Sequence, residues 1–145
     1  MASATPNVAG DTSMGPGVTD ETYYFAAAAT AGDTIVVDMG TTTTSTGNTL
    51  NAGQAAKKAP ATSDLSYVLG GLLGTVTAGS WGKVRRAGVQ TGVACKSNVA
   101  QYDALKTSTD AAGRVDAAAN TDINVVGVAL TAASSNTCTV LWKTL

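Results

Sequence analysis

The sequence predicts an all-β fold, a small antiparallel β-barrel or sandwich with an extended N-terminal arm and a Thr-rich excursion. Three observations carry this. Thr and Val are abundant while there is only one Glu among ten acids, and aromatics are just 5%, a balance that leans towards strand. Turn signals recur about every ten residues through the last third, the spacing of barrels and sandwiches. The stretch Val125–Lys143 places two apolar, β-favouring runs around the polar loop Thr131-Ala132-Ala133-Ser134-Ser135-Asn136, which is a hairpin signature. Period-two patterning puts Val126, Val128 and Leu130 on one face of its first arm and Cys138, Val140 and Trp142 on one face of its second.

Taken in order, residues 1–22 are Gly, Pro, Ser, Thr and Asn with scattered Val and Met, and Pro6 and Pro16 forbid a long helix. They read as an extended arm without a core of its own. Residues 23–63 read as a strand pair plus a low-complexity excursion. Tyr23-Tyr24-Phe25 leads into Ala26–Ala29, Gly32-Asp33 marks a turn, and Ile35, Val37 and Met39 share a face. The expected pair joins the 23–29 and 34–39 segments. Residues 41–63, opening with the Thr-rich run 41–46, are low-complexity and too long to be an ordinary connection, so they read as a linker or an excursion that lies on something else. Gln54-Ala55-Ala56-Lys57-Lys58 could form a turn of helix.

Residues 64–145 read as the β-barrel domain. Tyr67–Thr77 is a strand with a Gly70-Gly71 bend, and Trp81–Cys95 follows after the turn at Ala78-Gly79-Ser80. Val84 has opposite parity to Val89, Val93 and Cys95, so a bulge or tight turn is expected at Ala87-Gly88. Lys83, Arg85 and Arg86 lie near it and read as solvated or edge charges. Tyr102–Leu105 is a short strand, and Asp110–Val115 a hairpin turn leading back.

The chain has 145 residues, enough for one domain with a real core. Net charge is −1 and only 13% of residues are charged. The doublets Lys57-Lys58 and Arg85-Arg86 do not make the basic stripe of a nucleic-acid binder. No run approaches the roughly 20 apolar residues of a membrane helix, and Met1–Pro6 lacks the features of a signal peptide. The expected setting is a cytoplasm, without nucleic-acid or membrane partners. Cys95 and Cys138 are read as small buried thiols, with a disulfide left open.

The search for chemistry returns no catalytic, metal or cofactor residue. There is no His to serve as the usual base or to complete a zinc site. Lys96 and Ser97 are sequence neighbours, and neighbours on a strand point apart. Asp20, Asp33, Asp64, Asp103, Asp110 and Asp122 fall at turns, where Asp needs no catalytic explanation. Gly70-Gly71-Leu72-Leu73-Gly74 has neither GxGxxG spacing nor a GK[ST] ending. The expectation is a protein that is not an enzyme and holds no cofactor.

Beyond these readings, the run from Gly70 onwards resembles the head decoration, or cement, proteins of tailed bacteriophages in their small β-barrel form. The likeness lies in Thr77-Ala78-Gly79-Ser80-Trp81-Gly82-Lys83-Val84, Ala87-Gly88-Val89 and Tyr102-Asp103-Ala104-Leu105, then in Ala112-Gly113-Arg114-Val115, Val126-Gly127-Val128-Ala129-Leu130 and Thr139-Val140-Leu141. The corner carries Gln101-Tyr102 where that family often has Ala-Gly. The resemblance implies a structural virion protein that binds the outer surface of an assembled capsid through the major capsid protein. It also implies a homo-oligomer, with a trimer favoured over a dimer. On this reading Asn7, Val8, Tyr23, Tyr24 and Phe25 are the candidate capsid contacts. The alternative is a β-sandwich binding module of a phage tail or fibre, or a glycan-binding domain.

Overall fold

Strand β5 (Ser80–Ala94) is fifteen residues long and joins the two parts of one nine-stranded sheet. In the computed structural model, which describes residues 17–62 and 65–143, its first half completes a barrel and its second half starts an open sheet. The remaining strands are β1 (Thr19–Phe25), β2 (Thr34–Val37), β3 (Ala55–Lys58), β4 (Val68–Leu72), β6 (Ala104–Thr107), β7 (Val115–Ala117), β8 (Gly127–Ala129) and β9 (Thr137–Lys143). No helix occurs among the described residues.

The hydrogen-bonded order is β1-β3-β2-β4-β5-β9-β8-β6-β7, and β1 also pairs with β5. That extra pairing closes β1-β3-β2-β4-β5 into a five-stranded ring. The all-β barrel expected from the sequence is present, but it draws on both halves of the chain. Three of its strands, β1, β2 and β3, come from residues 19–58, so the barrel is not confined to residues 64–145. The expected pairing of the 23–29 and 34–39 segments does not form. Instead β3 sits between β1 and β2, parallel to the first (Tyr24↔Ala55) and antiparallel to the second (Val37↔Ala56). Ala55 and Ala56 are buried there as strand residues, so the possible helical turn at 54–58 is replaced by β3. The expected arm is also shorter, because residues 19–22 pair with β5 from Thr19↔Ala87 to Thr22↔Lys83.

Two cores follow. Tyr23, Phe25, Ile35, Leu69, Leu72 and Val84 fill the barrel. Val93, Cys95, Leu105, Val115, Cys138, Val140 and Trp142 of the C-terminal sheet pack with Val36, Ala59 and Val68. Ile35 and Val36 are sequence neighbours and so face opposite ways, one into each core. The barrel wall at β2 and β4 is therefore buried on both faces, which is why these strands read as unbroken apolar runs. Each fully buried Phe, Ile, Leu or Val stabilises the fold by about 1.5–3 kcal/mol.

The terminal hairpin forms as β8 and β9, with Gly127↔Trp142 and Ala129↔Val140 in register. Cys138, Val140 and Trp142 point inward as expected. On β8 the inward residues are Gly127 and Ala129 rather than Val128 and Leu130. Opposed residues share a face, and the Trp142 ring needs a small partner. Gly71 of β4 provides a second such place: a methyl group there would lie 2.8 Å from the Trp142 ring.

The phase break in β5 comes in two steps. Against β1, the register skips Arg86 between Asp20↔Arg85 and Thr19↔Ala87, close to the expected bulge. The change of inward parity occurs later, between Gln90 and Val93, at Gly92 with φ 69°. Val89 is consequently exposed and Gln90 is buried. The Gln90 amide donates to the Leu72 carbonyl at 2.9 Å and accepts from the Trp142 indole N–H at 2.9 Å. Burying it there satisfies an indole donor that an apolar residue would strand.

Candidate functional site

The candidate contacts divide between the interior of the chain and a region without description. Tyr23, Tyr24 and Phe25 are 6%, 3% and 0% exposed. Tyr23 and Phe25 face the barrel interior, and Tyr24 lies on the outer wall beneath the Thr-rich segment with Leu50 and Ala55. Their density reflects core filling, and as placed they offer no free anchor. Asn7 and Val8 lie outside the described residues.

The β1–β5 seam carries two of the ion pairs among the described residues. Arg85 donates to both oxygens of Asp20, at 2.8 and 3.0 Å, and this two-point bond holds the Asp20 carboxyl below its usual range. Arg86 reaches Glu21 at 2.7 Å and the Tyr23 hydroxyl at 3.0 Å. The Tyr23 hydroxyl, then Arg86, depress Glu21. Burial, then Glu21, push the Tyr23 hydroxyl upward. These arginines sit mid-sheet in ion pairs and are not the edge charges expected. Groups so matched stabilise the β1–β5 seam, and their lowered pKa values make Asp20 and Glu21 poor general bases.

Elsewhere the side chains make turns. Asp33, Asp103 and Asp122 each accept the backbone N–H three residues earlier, as Asp does in loops. Lys96 lies on Asp110 at 2.7 and 2.8 Å, and that bond raises its pKa, the opposite of what a Ser-Lys nucleophile needs. Cys95 and Cys138 are both free and buried, and burial pushes the Cys138 thiol up to about 12. Among the described residues no three His, Cys, Asp or Glu side chains cluster as a metal site.

Two surface features remain. A cleft lies between the Thr-rich segment and β5, lined by Tyr24, Thr44, Thr46, Asn48, Gln54 and Trp81, among others. Trp81 is 47% exposed, and its ring meets Tyr24 edge-on at 5.4 Å between centroids. The parity that sends Val84 inward sends Trp81 outward, so this residue was legible in the sequence once Val84 was placed. The second feature is apolar. Met39 and Tyr67 flank a shallow groove with Val37 and Lys57, and Ile123 and Val125 border a hollow with Leu65 and Val68. Residues 65–68 run between the two, and Met39 and Ile123 are 66% and 84% exposed.

No protein-family model matches the sequence, and no curated protein resembles it in sequence. A solved structure does resemble it in fold. That structure is the N base of the head fibre gp8.5 of bacteriophage phi29, with a TM-score of 0.58 over 87% of this chain and 94% of that one. The two chains are 16% identical. The likeness therefore establishes a shared β fold across nearly the whole chain.

Proposed function

We propose that this chain is a structural component of a phage virion, seated on the outer surface of the capsid through the major capsid protein, where it reinforces the shell. The observation that carries the proposal is the near end-to-end fold likeness to the base of a phage head fibre. The sequence resemblance to cement proteins reaches the same kind of particle by an independent route. The chemistry is compatible: Asp20 and Glu21 are held in ion pairs, Asp33, Asp103 and Asp122 cap turns, and the barrel closes on itself. The Met39–Tyr67 groove with the neighbouring Ile123 and Val125 is the surface suited to a protein contact, since exposed apolar patches mark such sites.

Oligomerisation belongs to the same proposal. A trimer would set three such patches on the shell together, and linked weak contacts add strongly. A second reading, favoured by the neighbour being a fibre base, makes the chain the foot of a projecting fibre. The two differ in what lies above the capsid.

The experiment is to purify particles whose genome encodes this chain and quantify it among their proteins. Recombinant chain is then added to particles lacking it. The proposal expects stoichiometric incorporation and greater resistance of the shell to heat. Absence from purified particles, with no binding on addition, overturns it. Native mass measurement separates trimer from dimer. The arm is tested by removing residues 2–16, because a cut extending to residue 22 would remove half of β1.

A further inference from the structure

We propose that the cleft between the Thr-rich segment and Trp81 is a binding site for a neutral saccharide, one or two sugar rings in size. The inference is independent of capsid attachment and rests on four observations. First, the cleft holds about 320 Å³, at the lower end of the roughly 300–1,000 Å³ typical of small-molecule sites. Second, no Asp, Glu, Lys or Arg lines it, which selects against ions. The donors and acceptors are hydroxyls and amides, the groups that pair with sugar hydroxyls.

Third, an aromatic ring is presented at the right place. Trp81 stands half exposed at the wall of the cleft, while the chain's other tryptophan, Trp142, is 1% exposed. An indole face carries negative charge density and attracts the C–H face of a pyranose ring. The edge-on contact with buried Tyr24 fixes the indole before any ligand arrives.

Fourth, the opposite wall is built and held. Thr43 and Thr49 bridge in antiparallel fashion, and Leu50 donates to the Thr42 carbonyl at 2.9 Å. Between them the Thr44 and Asn48 backbones bond at 2.8 Å, and the Thr44 hydroxyl accepts from the Asn48 N–H at 3.1 Å. The Ser45 N–H donates to the Tyr24 hydroxyl at 2.8 Å, tying the tip to the barrel. The Gln54 carbonyl oxygen accepts from Asn51 N–H, which leaves its amide N–H₂ available to a ligand. A wall fixed in this way loses little entropy when it binds. This gives a purpose to residues 41–53, a stretch that contributes only Leu50 to the described cores.

The test is a ¹⁵N-resolved NMR titration of the full chain with methyl glucoside, methyl galactoside, methyl mannoside, N-acetylglucosamine and their disaccharides. The expected result is saturable movement of the Trp81 indole and Thr44–Asn48 amide signals by at least one sugar, with the Trp142 indole unmoved. Trp81→Ala should weaken that binding about tenfold or more, the scale of one lost stacking anchor. Asn48→Ala, on an exposed loop, serves if the first variant fails to fold, and should weaken binding several-fold. No saturable movement with any of these sugars up to about 50 mM, a concentration at which even millimolar affinity saturates, overturns the inference. Unchanged binding in a folded Trp81→Ala variant also overturns it. Capsid incorporation of the same variant, measured separately, is expected to be normal, so the two proposals fail independently.

Discussion

In the barrel, β5 meets β1 and the ring closes on itself; beyond Ala87 the same strand continues to β9, and that sheet runs out at β7, a strand of only three residues. The closed part satisfies its own strand edges, as barrels do. The open part leans on its neighbour, since its core is completed by Val36, Ala59 and Val68 from the barrel side. The lesson is one of dependence. The barrel has a core of its own, whereas the C-terminal sheet needs the outside of the barrel as its second wall. Trp142 is the principal link, reaching Gln90 and Gly71 across the join.

The largest effect should therefore come from Trp142→Ala, which is expected to cost about 3–5 kcal/mol in denaturant unfolding. Hydrogen exchange sharpens the comparison: amides of β6 to β9 should lose protection before those of β1 to β4. Uniform loss would show that the two parts do not differ as described. Next is Gly71→Ala. Its new methyl group would crowd the Gln90 side-chain oxygen as well as the indole, and overpacking of this kind costs about 1–3 kcal/mol. An unchanged midpoint would show that the join is looser than drawn.

A smaller effect distinguishes the β1–β5 seam. Arg85 holds the folded Asp20 carboxyl below its unfolded pKa, so its contribution is present above about pH 4 and disappears as pH falls through the folded value. Asp20→Asn should cost about 1 kcal/mol at neutral pH, and the difference should shrink steadily as pH falls below about 4, as the carboxyl takes up its proton. A constant difference across that range would contradict the ion-pair account. The last effect leaves stability alone. With the Cys138 thiol pushed up to about 12 by burial, native protein at pH 8 should resist thiol reagents, and labelling should track opening of the C-terminal sheet. Prompt labelling of the folded chain would place the thiols at the surface.

How much of this could be read from residues alone follows from which forces act locally. The terminal hairpin was legible because period-two patterning and turn chemistry are short-range. The turns at Asp33, Asp103 and Asp122 were legible for the same reason, whereas Asp20, also expected at a turn, lies within β1 and pairs with Arg85. The partner of β1 was not: β3 reaches it from thirty residues away as Ala-Ala-Lys-Lys, a segment without strand propensity that is recruited by two neighbouring strands. The inward face of β8 was missed because Gly127 and Ala129 look like the weak face until Trp142 lies opposite. The aromatic triplet was misplaced because burial and binding both favour Tyr and Phe, and only the closed barrel separates them. Trp81 could have been placed outward from Val84, but its cleft needed the fold of the Thr-rich segment to appear.

We propose that this chain works as a fixed part of a virus particle's exterior. Quantitative mass spectrometry of gradient-purified particles, before and after mild protease treatment of the intact shell, tests it most directly. The account predicts many copies per particle, in fixed ratio to the major capsid protein and cut at exposed sites while the capsid lattice stays whole. Finding the chain only in the soluble lysate, or protected inside intact particles, would contradict it.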